Sequence, residues 1–303
     1  MNDVVVVGGG PAGAACALWA HQLGMETLLL EASPVIGGLQ RRSPYENVWV
    51  PGVQGKTGQE IAASMQAQLD SVGVRYMTST LVQSIRQGEN FWRVDCEGGG
   101  YQARRIVIAT GCVPRTGGFH ESERVGVGPG LSMERLDVVG KRVAILGGGD
   151  NAFDQAAFAL GRGARSVDVY CRRKPRAQPV LQRKMWSRSV HVGEFQADQC
   201  SMTVNGSHYD IFGVQYGFEP NHPGGLNLPS HDGFVDVDQQ GAVPGFPGMF
   251  AAGEVTNYWH PCVTTSYAHG VQVAKSIQRD LQQVGNDRDQ SAATPTFPKL
   301  QYR

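Results

Sequence analysis

Short apolar runs alternate with amphipathic or small-residue stretches along this chain, and glycine marks most of the boundaries. Val4 to Val7 is an unbroken β-branched run, the pattern of a strand covered on both faces, as in a parallel sheet. Residues Ala12 to Leu23 carry Ala14, Ala15 and Ala17 and predict a helix that stops at Gly24, a residue suited to a left-handed C-cap. Thr27 to Leu30 predicts a second strand. The same succession returns later. Arg142 to Leu146 predicts a strand, Asn151 to Leu160 a helix ending at Gly161 or Gly163, and Ser166 to Tyr170 another strand. Ser201 to Asp210 reads as short strand material, and Ile211 to Gly217 as a return strand.

Composition narrows the class. The 303 residues suffice for about two domains. Hydrophobic residues make up 41% and charged residues 18%, and no apolar run approaches the roughly 18 residues that span a bilayer. Lys plus Arg and Asp plus Glu number 27 each, so no net field favours nucleic acid or an anionic membrane. The opening MNDVVVVGGG places a core strand at residue 4, leaving no room for a charged n-region and a separate h-region. A cytoplasmic location is expected. The cysteines at 16, 96, 112, 171, 200 and 262 follow no framework spacing and read as free thiols. Cys16 and Cys112 read as small core hydrophobes.

Two glycine loops carry the chemistry, GGGPAG from Gly8 to Gly13 and GGGDNA from Gly147 to Ala152. Each follows a strand and opens a helix, the context in which such loops cradle a pyrophosphate. In the first, Gly8 permits the turn, Gly10 lets backbone approach the phosphates, Gly13 lets helix pack on strand, and Pro11 suits the first helical turn. Glu31 ends the second strand 18 residues after Gly13, about where a carboxylate accepts the hydroxyls of an unphosphorylated adenosine ribose. FAD or NAD fits better there than NADP. The second loop has Ala152 for its third glycine, a small residue that the position accepts. Its following strand ends in Cys171-Arg172-Arg173-Lys174-Pro175-Arg176 instead of an acid. Guanidinium groups replacing a carboxylate suit the 2′-phosphate of NADPH. The alternative is a basic, solvated loop continuing to Arg183, Lys184 and Arg188.

The run GGGPAG, Glu31, Gly37-Gly38-Leu39-Gln40, then Tyr45-Glu46-Asn47 with Pro51-Gly52 resembles the FAD domain of low-molecular-weight thioredoxin reductases. Arg105 to Gly111 resembles that family's ATG crossing segment, and Gly248 to Glu254 its C-terminal FAD segment, usually with Asp at 254. The resemblance implies an α/β fold of two Rossmann-like, three-layer domains. FAD would occupy 1–115 and 219–303, around an inserted, shortened NAD(P)H-binding domain at 116–218. It further implies that FAD is held by Gly8, Gly10, Pro11, Ala12, Gly13, Glu31, Ala32, Gly38, Leu39, Gln40, Asn47, Ala109, Thr110, Gly111, Gly253, Glu254, Pro261, Cys262 and Val263. NADPH would be held by Gly147, Gly149, Asp150, Asn151, Ala152, Arg172, Arg173 and Arg176. A homodimer is also implied.

One family element is missing. Thioredoxin reductases carry CxxC shortly before the second glycine loop, where this chain reads VGVGPGLSMERLD from Val125 to Asp137, and no CxxC occurs anywhere. A relay through an internal disulfide needs two such thiols. The expected activity is therefore transfer from NADPH through FAD to an external acceptor, as in ferredoxin or flavodoxin reductases of this type. Two alternatives stay open. Cys262 or another single thiol could assist reduction of a small disulfide or oxidation of a dithiol, and separately His260 could donate a proton during flavin reduction. A non-catalytic flavin-binding redox sensor with impaired NADPH binding is the other. After Gly253-Glu254 the family's Arg-Gln-Ala gives way to Trp259-His260-Pro261-Cys262-Val263-Thr264-Thr265, which by register sets Pro261, Cys262 and Val263 near the pyrimidine edge of the flavin. At that edge Cys262 is equally readable as a packing or hydrogen-bonding residue, and His260 as a hydrogen-bonded loop histidine. The stretch from Asp287 to Arg303 reads as a mobile tail, with Phe297 or Tyr302 as candidates to fold over the flavin.

Overall fold

The computed structural model describes residues 1–185, 189–256 and 260–292. In chain order the elements are β1 (Asn2–Val7), α1 (Pro11–Gln22), β2 (Thr27–Leu30), α2 (Gly58–Val72), β3 (Arg75–Met77), β4 (Val82–Gln87), β5 (Trp92–Cys96) and β6 (Gly99–Ile108). There follow β7 (Cys112–Pro114), β8 (Val125–Val127), α3 (Leu131–Glu134), β9 (Arg142–Leu146), α4 (Asp150–Gly161), β10 (Ser166–Cys171), α5 (Pro179–Gln182) and β11 (Val190–Val192). The chain continues through β12 (Ala197–Asp198), β13 (Thr203–Val204), β14 (Ser207–His208), β15 (Ile211–Val214), β16 (Phe218–Pro220), β17 (Ser230–His231), β18 (Phe234–Val235), β19 (Met249–Ala251) and α6 (Val263–Ala292). These form two compact units, one of residues 1–36, 66–110 and 222–303, the other of 37–65 and 111–221.

The first unit is built on a seven-stranded sheet in the order β3-β2-β1-β6-β5-β4, with β19 also on β6. Strands β3, β2, β1, β6 and β19 pair in parallel, whereas β4, β5 and β6 form an antiparallel meander. Val4, Val5 and Val6 are fully buried in the central strand, as a parallel strand covered on both faces requires. Helices α1 and α6 pack closely because their contact residues are small. A Cβ on Gly270 of α6 would lie 2.2 Å from the Ala12 carbonyl oxygen.

The second unit holds a five-stranded parallel sheet, β11-β10-β9-β15-β8. Phe153, Ala156 and Ala159 of α4 join Val143, Ile145, Val167 and Val169 in one core. Phe212, Tyr170 and Tyr209 form another with Met202 and Val204 of the β12-β13-β14 meander. That meander turns at Asn205 and Gly206, both at positive φ, as a two-residue Asn-Gly hairpin demands.

The described fold is mixed α/β with two Rossmann-like halves. Strand β15 ends at Val214, short of the expected Gly217: the Gln215 N–H makes the last bond to β9, at the Leu146 carbonyl, and Gly217 then takes φ +84°. At the C-terminus α6 runs past Asp287 to Ala292, where the sequence reading expects a mobile tail. The stretch has no proline before Pro295, so nothing in it breaks the helix that arrives from Val263. Phe297 and Tyr302 lie outside the described residues, as do Arg188 and Trp259. All six cysteines are free, and Cys16 and Cys112 are buried as expected. Among the described residues no helix is long and apolar enough to cross a membrane.

Candidate functional site

In the first unit, β1 delivers the chain into Gly8 at φ +106°. A side chain is impossible at two of the loop's glycines. A Cβ at Gly8 would stand 2.4 Å from the Ala109 carbonyl oxygen, and one at Gly13 only 1.8 Å from that of Gly8. Glycine thus brings the loop, the start of α1 and the end of β6 into van der Waals contact, as the fingerprint requires. Gly10 caps α1 without any side-chain hydrogen bond, and Pro11 occupies its first turn. The N–H groups of that turn are therefore available to an anion.

Glu31 is 7% exposed at the end of β2. Its Oε2 accepts the Gly9 N–H at 2.5 Å, and its Oε1 the Ser33 N–H at 2.7 Å. Each oxygen keeps a second lone pair for a ribose hydroxyl, so the carboxylate is oriented and still able to accept. Ala32 beside it is exposed, Ala109 is buried and Thr110 is half-buried.

Gly253, buried and at φ +80°, lies in the same unit, and its Cβ would meet Ala12 at 2.6 Å. Its N–H donates to Nδ1 of His269 at 3.1 Å. His269 on α6 is 1% exposed, and burial pushes its pKa down to about 4. The ring is therefore neutral with its proton on Nε2, the tautomer that leaves Nδ1 free to accept. Sequence reasoning missed this residue. A histidine in the second turn of a helix that follows the Gly253 segment is the signal that was available.

Cys262 stands at the entrance of α6, between exposed Pro261 and half-buried Val263. Its N–H donates to Thr265 Oγ1 at 3.1 Å, and the Thr265 N–H donates back to its Sγ at 3.5 Å. This is a capping box with sulfur at the cap. Burial raises the thiol pKa, but hydrogen bonds from the Thr265 hydroxyl and the Thr265 and Thr264 N–H groups outweigh it and leave the thiol below its usual value. His260 is exposed, and its carbonyl accepts from the Thr265 hydroxyl at 2.7 Å.

In the second unit, the expected contributors Gly38, Leu39 and Gln40 lie in a 3₁₀ turn, Gly38–Arg42. Asn47 Nδ2 donates to Gln40 Oε1 at 3.3 Å. Gly111, at φ +66°, also belongs to this unit.

The second loop repeats the first. Gly147 has φ +145°, and a Cβ there would lie 2.1 Å from the Gln215 carbonyl oxygen. Gly149 caps α4 with no side-chain bond, Asp150 and Asn151 are exposed, and Ala152 is fully buried. The basic segment after β10 is strapped to this loop. Arg176 and Ala177 donate their N–H groups to the Gly148 carbonyl at 2.8 and 3.1 Å, and Gln178 donates to Asp150 Oδ1 at 2.7 Å. Arg172 rests between the rings of Phe195 and Tyr216, 5.9 Å from each centroid. The ion pairs of the described residues use none of Arg172, Arg173 and Arg176. Three guanidinium groups outside those ion pairs, following the strand beside this loop, suit a phosphorylated ribose.

The family model for "Pyridine nucleotide-disulphide oxidoreductase" matches residues 2–276. The chain belongs to that family. This oxidoreductase is 25% identical to a thioredoxin reductase of Listeria monocytogenes over 315 residues, covering 96% of this chain and 97% of the relative. It is 26% identical to a ferredoxin–NADP reductase of Streptococcus gordonii over 289 residues, covering 85% and 87%. Its fold matches the Lactococcus lactis thioredoxin reductase with a TM-score of 0.80 at 24% identity, over 93% of this chain and all of that one. As a member it is an NAD(P)H-dependent flavoprotein oxidoreductase, and its cofactors are FAD and a pyridine nucleotide.

Residues Val125 to Asp137, at the position where thioredoxin reductases carry CxxC, run through β8, a tight turn at Gly128 to Gly130 and α3. Gly128 and Gly130 sit at φ +76° and +79°. A Cβ on Gly130 would fall 1.9 Å from the Arg42 carbonyl oxygen.

Proposed function

We propose that this oxidoreductase passes electrons from NADPH through FAD to an external acceptor of the ferredoxin or flavodoxin kind, with no disulfide of its own in the path. Bound together, the two cofactors supply hydride and electron transfer. The chain's residues bind, orient and separate them. The FAD role falls to residues 1–115 and 219–303, with Glu31 and the loop Gly8 to Gly13 as its anchors. The NADPH role falls to 116–218, with Arg172, Arg173 and Arg176 as the phosphate clamp. A cytoplasmic homodimer, as the resemblance implies, goes with this reading.

The observation that carries it is the closed turn at Gly128 to Gly130, which has neither cysteines nor room for a side chain at Gly130. Anaerobic mixing with NADPH tests it. Bleaching of the flavin band, faster with NADPH than with NADH, followed by reduction of a ferredoxin or flavodoxin but not of thioredoxin, is the expected result. A flavin band that NADPH leaves unchanged removes the reading and favours a redox sensor.

Cys262 supports a second reading, reduction of a small disulfide or oxidation of a dithiol, because its thiol is lowered and capped by Thr265. Replacing it by serine decides the matter. Unchanged turnover of every disulfide or dithiol substrate eliminates the cysteine role.

A further inference from the structure

Strand β19 runs beside β6, and its ladder ends with the Ala252 N–H on the Ile108 carbonyl at 2.9 Å. Gly253 follows, buried and at φ +80°. Its N–H is the first beyond the ladder, and a buried amide without an acceptor is costly. Nδ1 of His269 supplies the acceptor from within α6, at 3.1 Å. On the other side of the same residue, the Gly253 carbonyl accepts the Thr256 N–H at 3.0 Å and the Thr256 hydroxyl at 2.7 Å.

Both peptide planes that meet at Gly253 are therefore held, one by His269 and the other by Thr256. Glycine has the widest choice of φ and ψ of any residue, so without these grips the chain could leave Gly253 in many directions. With both in place, the direction in which Glu254 departs is set. The Glu254 carboxylate is near enough to Cys262, at the entrance of α6, to oppose ionisation of that thiol. This is the end of the helix at which the resemblance sets the flavin. A carboxylate accepts from hydroxyl groups. FAD offers them on its adenosine ribose, where Glu31 accepts, and on its ribityl chain, which is left for Glu254.

We infer that His269 is a positioning residue for FAD: by holding the Gly253 amide it fixes the Glu254 carboxylate toward the ribityl chain. The ring is 1% exposed and touches no cofactor itself. Burial, which pushes its pKa down to about 4, keeps Nδ1 an acceptor at every higher pH. The inference rests on the reading that gives the Gly253-Glu254 segment to FAD.

FAD release from the diluted holoprotein, followed by the rise in flavin fluorescence, tests it. His269→Leu removes the acceptor and should speed release about five- to tenfold, the factor carried by one neutral hydrogen bond. His269→Asn sets Oδ1 where Nδ1 stood and should release FAD at the wild-type rate. Glu254→Ala should speed release about tenfold or more, as loss of a charged acceptor does. In that background His269→Leu should add less than about twofold, because the histidine acts through the carboxylate. His269→Ser, too short to reach the amide, carries the same double-mutant comparison should the leucine variant not fold. Release from His269→Leu at the wild-type rate overturns the inference. An asparagine variant as leaky as the leucine one overturns it too, as does a full effect of His269→Leu on top of Glu254→Ala, since the ring then only props the turn. Release from Glu254→Ala at the wild-type rate sinks the reading that gives this segment to FAD, and the inference with it.

Discussion

Cys262 and Thr265 cap the same helix reciprocally. Thr265 gives its N–H to the sulfur, and Cys262 gives its N–H to the threonine hydroxyl oxygen. Thr265→Val removes the hydroxyl and half of the box. It should lower stability by about 1 kcal/mol, as loss of an N-terminal cap does. It should also raise the pKa of Cys262, read from the pH dependence of its alkylation rate. An unshifted alkylation profile would show that Thr265 does not tune the thiol.

The proposed 2′-phosphate clamp makes a cofactor prediction. Replacing Arg172 and Arg173 by alanine should raise the KM for NADPH roughly tenfold to a hundredfold, the factor carried by a charge-assisted hydrogen bond or two. The KM for NADH should stay where it is. Equal losses for both nucleotides would assign the two arginines to loop structure.

Buried His269 predicts a pH effect with a definite sign. Its pKa is about 4 in the folded chain, whereas a free histidine titrates near 6.5. As pH falls below about 6.5 the unfolded state takes up a proton that the folded state refuses, so stability drops. The loss should develop between about pH 6.5 and 4 and reach at most about 3 kcal/mol. Denaturant titrations at several pH values measure it. His269→Gln can still accept the Gly253 N–H, and it should flatten that part of the profile.

Gly130 tests the closed turn. Gly130→Ala must place a Cβ 1.9 Å from the Arg42 carbonyl oxygen at φ +79°, so the backbone has to move. A destabilisation above about 2 kcal/mol is expected, since strain at a left-handed position adds to the collision. A melting temperature equal to that of wild type would mean that the turn is loose enough to take a side chain.

Both glycine loops and their flanking strands were legible in the sequence because their determinants are local. A β-branched run, three small residues at fixed spacing and a helix start lie within about ten positions of each other. The Asn205-Gly206 hairpin was legible only as strand material, although its dipeptide states the turn. The grouping of residues 37–65 with 111–221 was not legible, because it depends on contacts such as Gly130 with Arg42, 88 positions apart. His269 and Thr256 escaped for a related reason. Their significance lies in which backbone groups face them, and only the folded chain sets that.

The packing of α6 on α1 bears on how this protein comes into being. Ala12, in the first glycine loop, is pressed by Gly253 on one side and by Gly270 on the other. The loop is synthesised well before either of its two supports. An emerging N-terminal half therefore carries the complete phosphate-binding motif without the surfaces that hold it in shape. Cofactor capture should wait until α6 has been made, and fragments ending before α6 should emerge colourless.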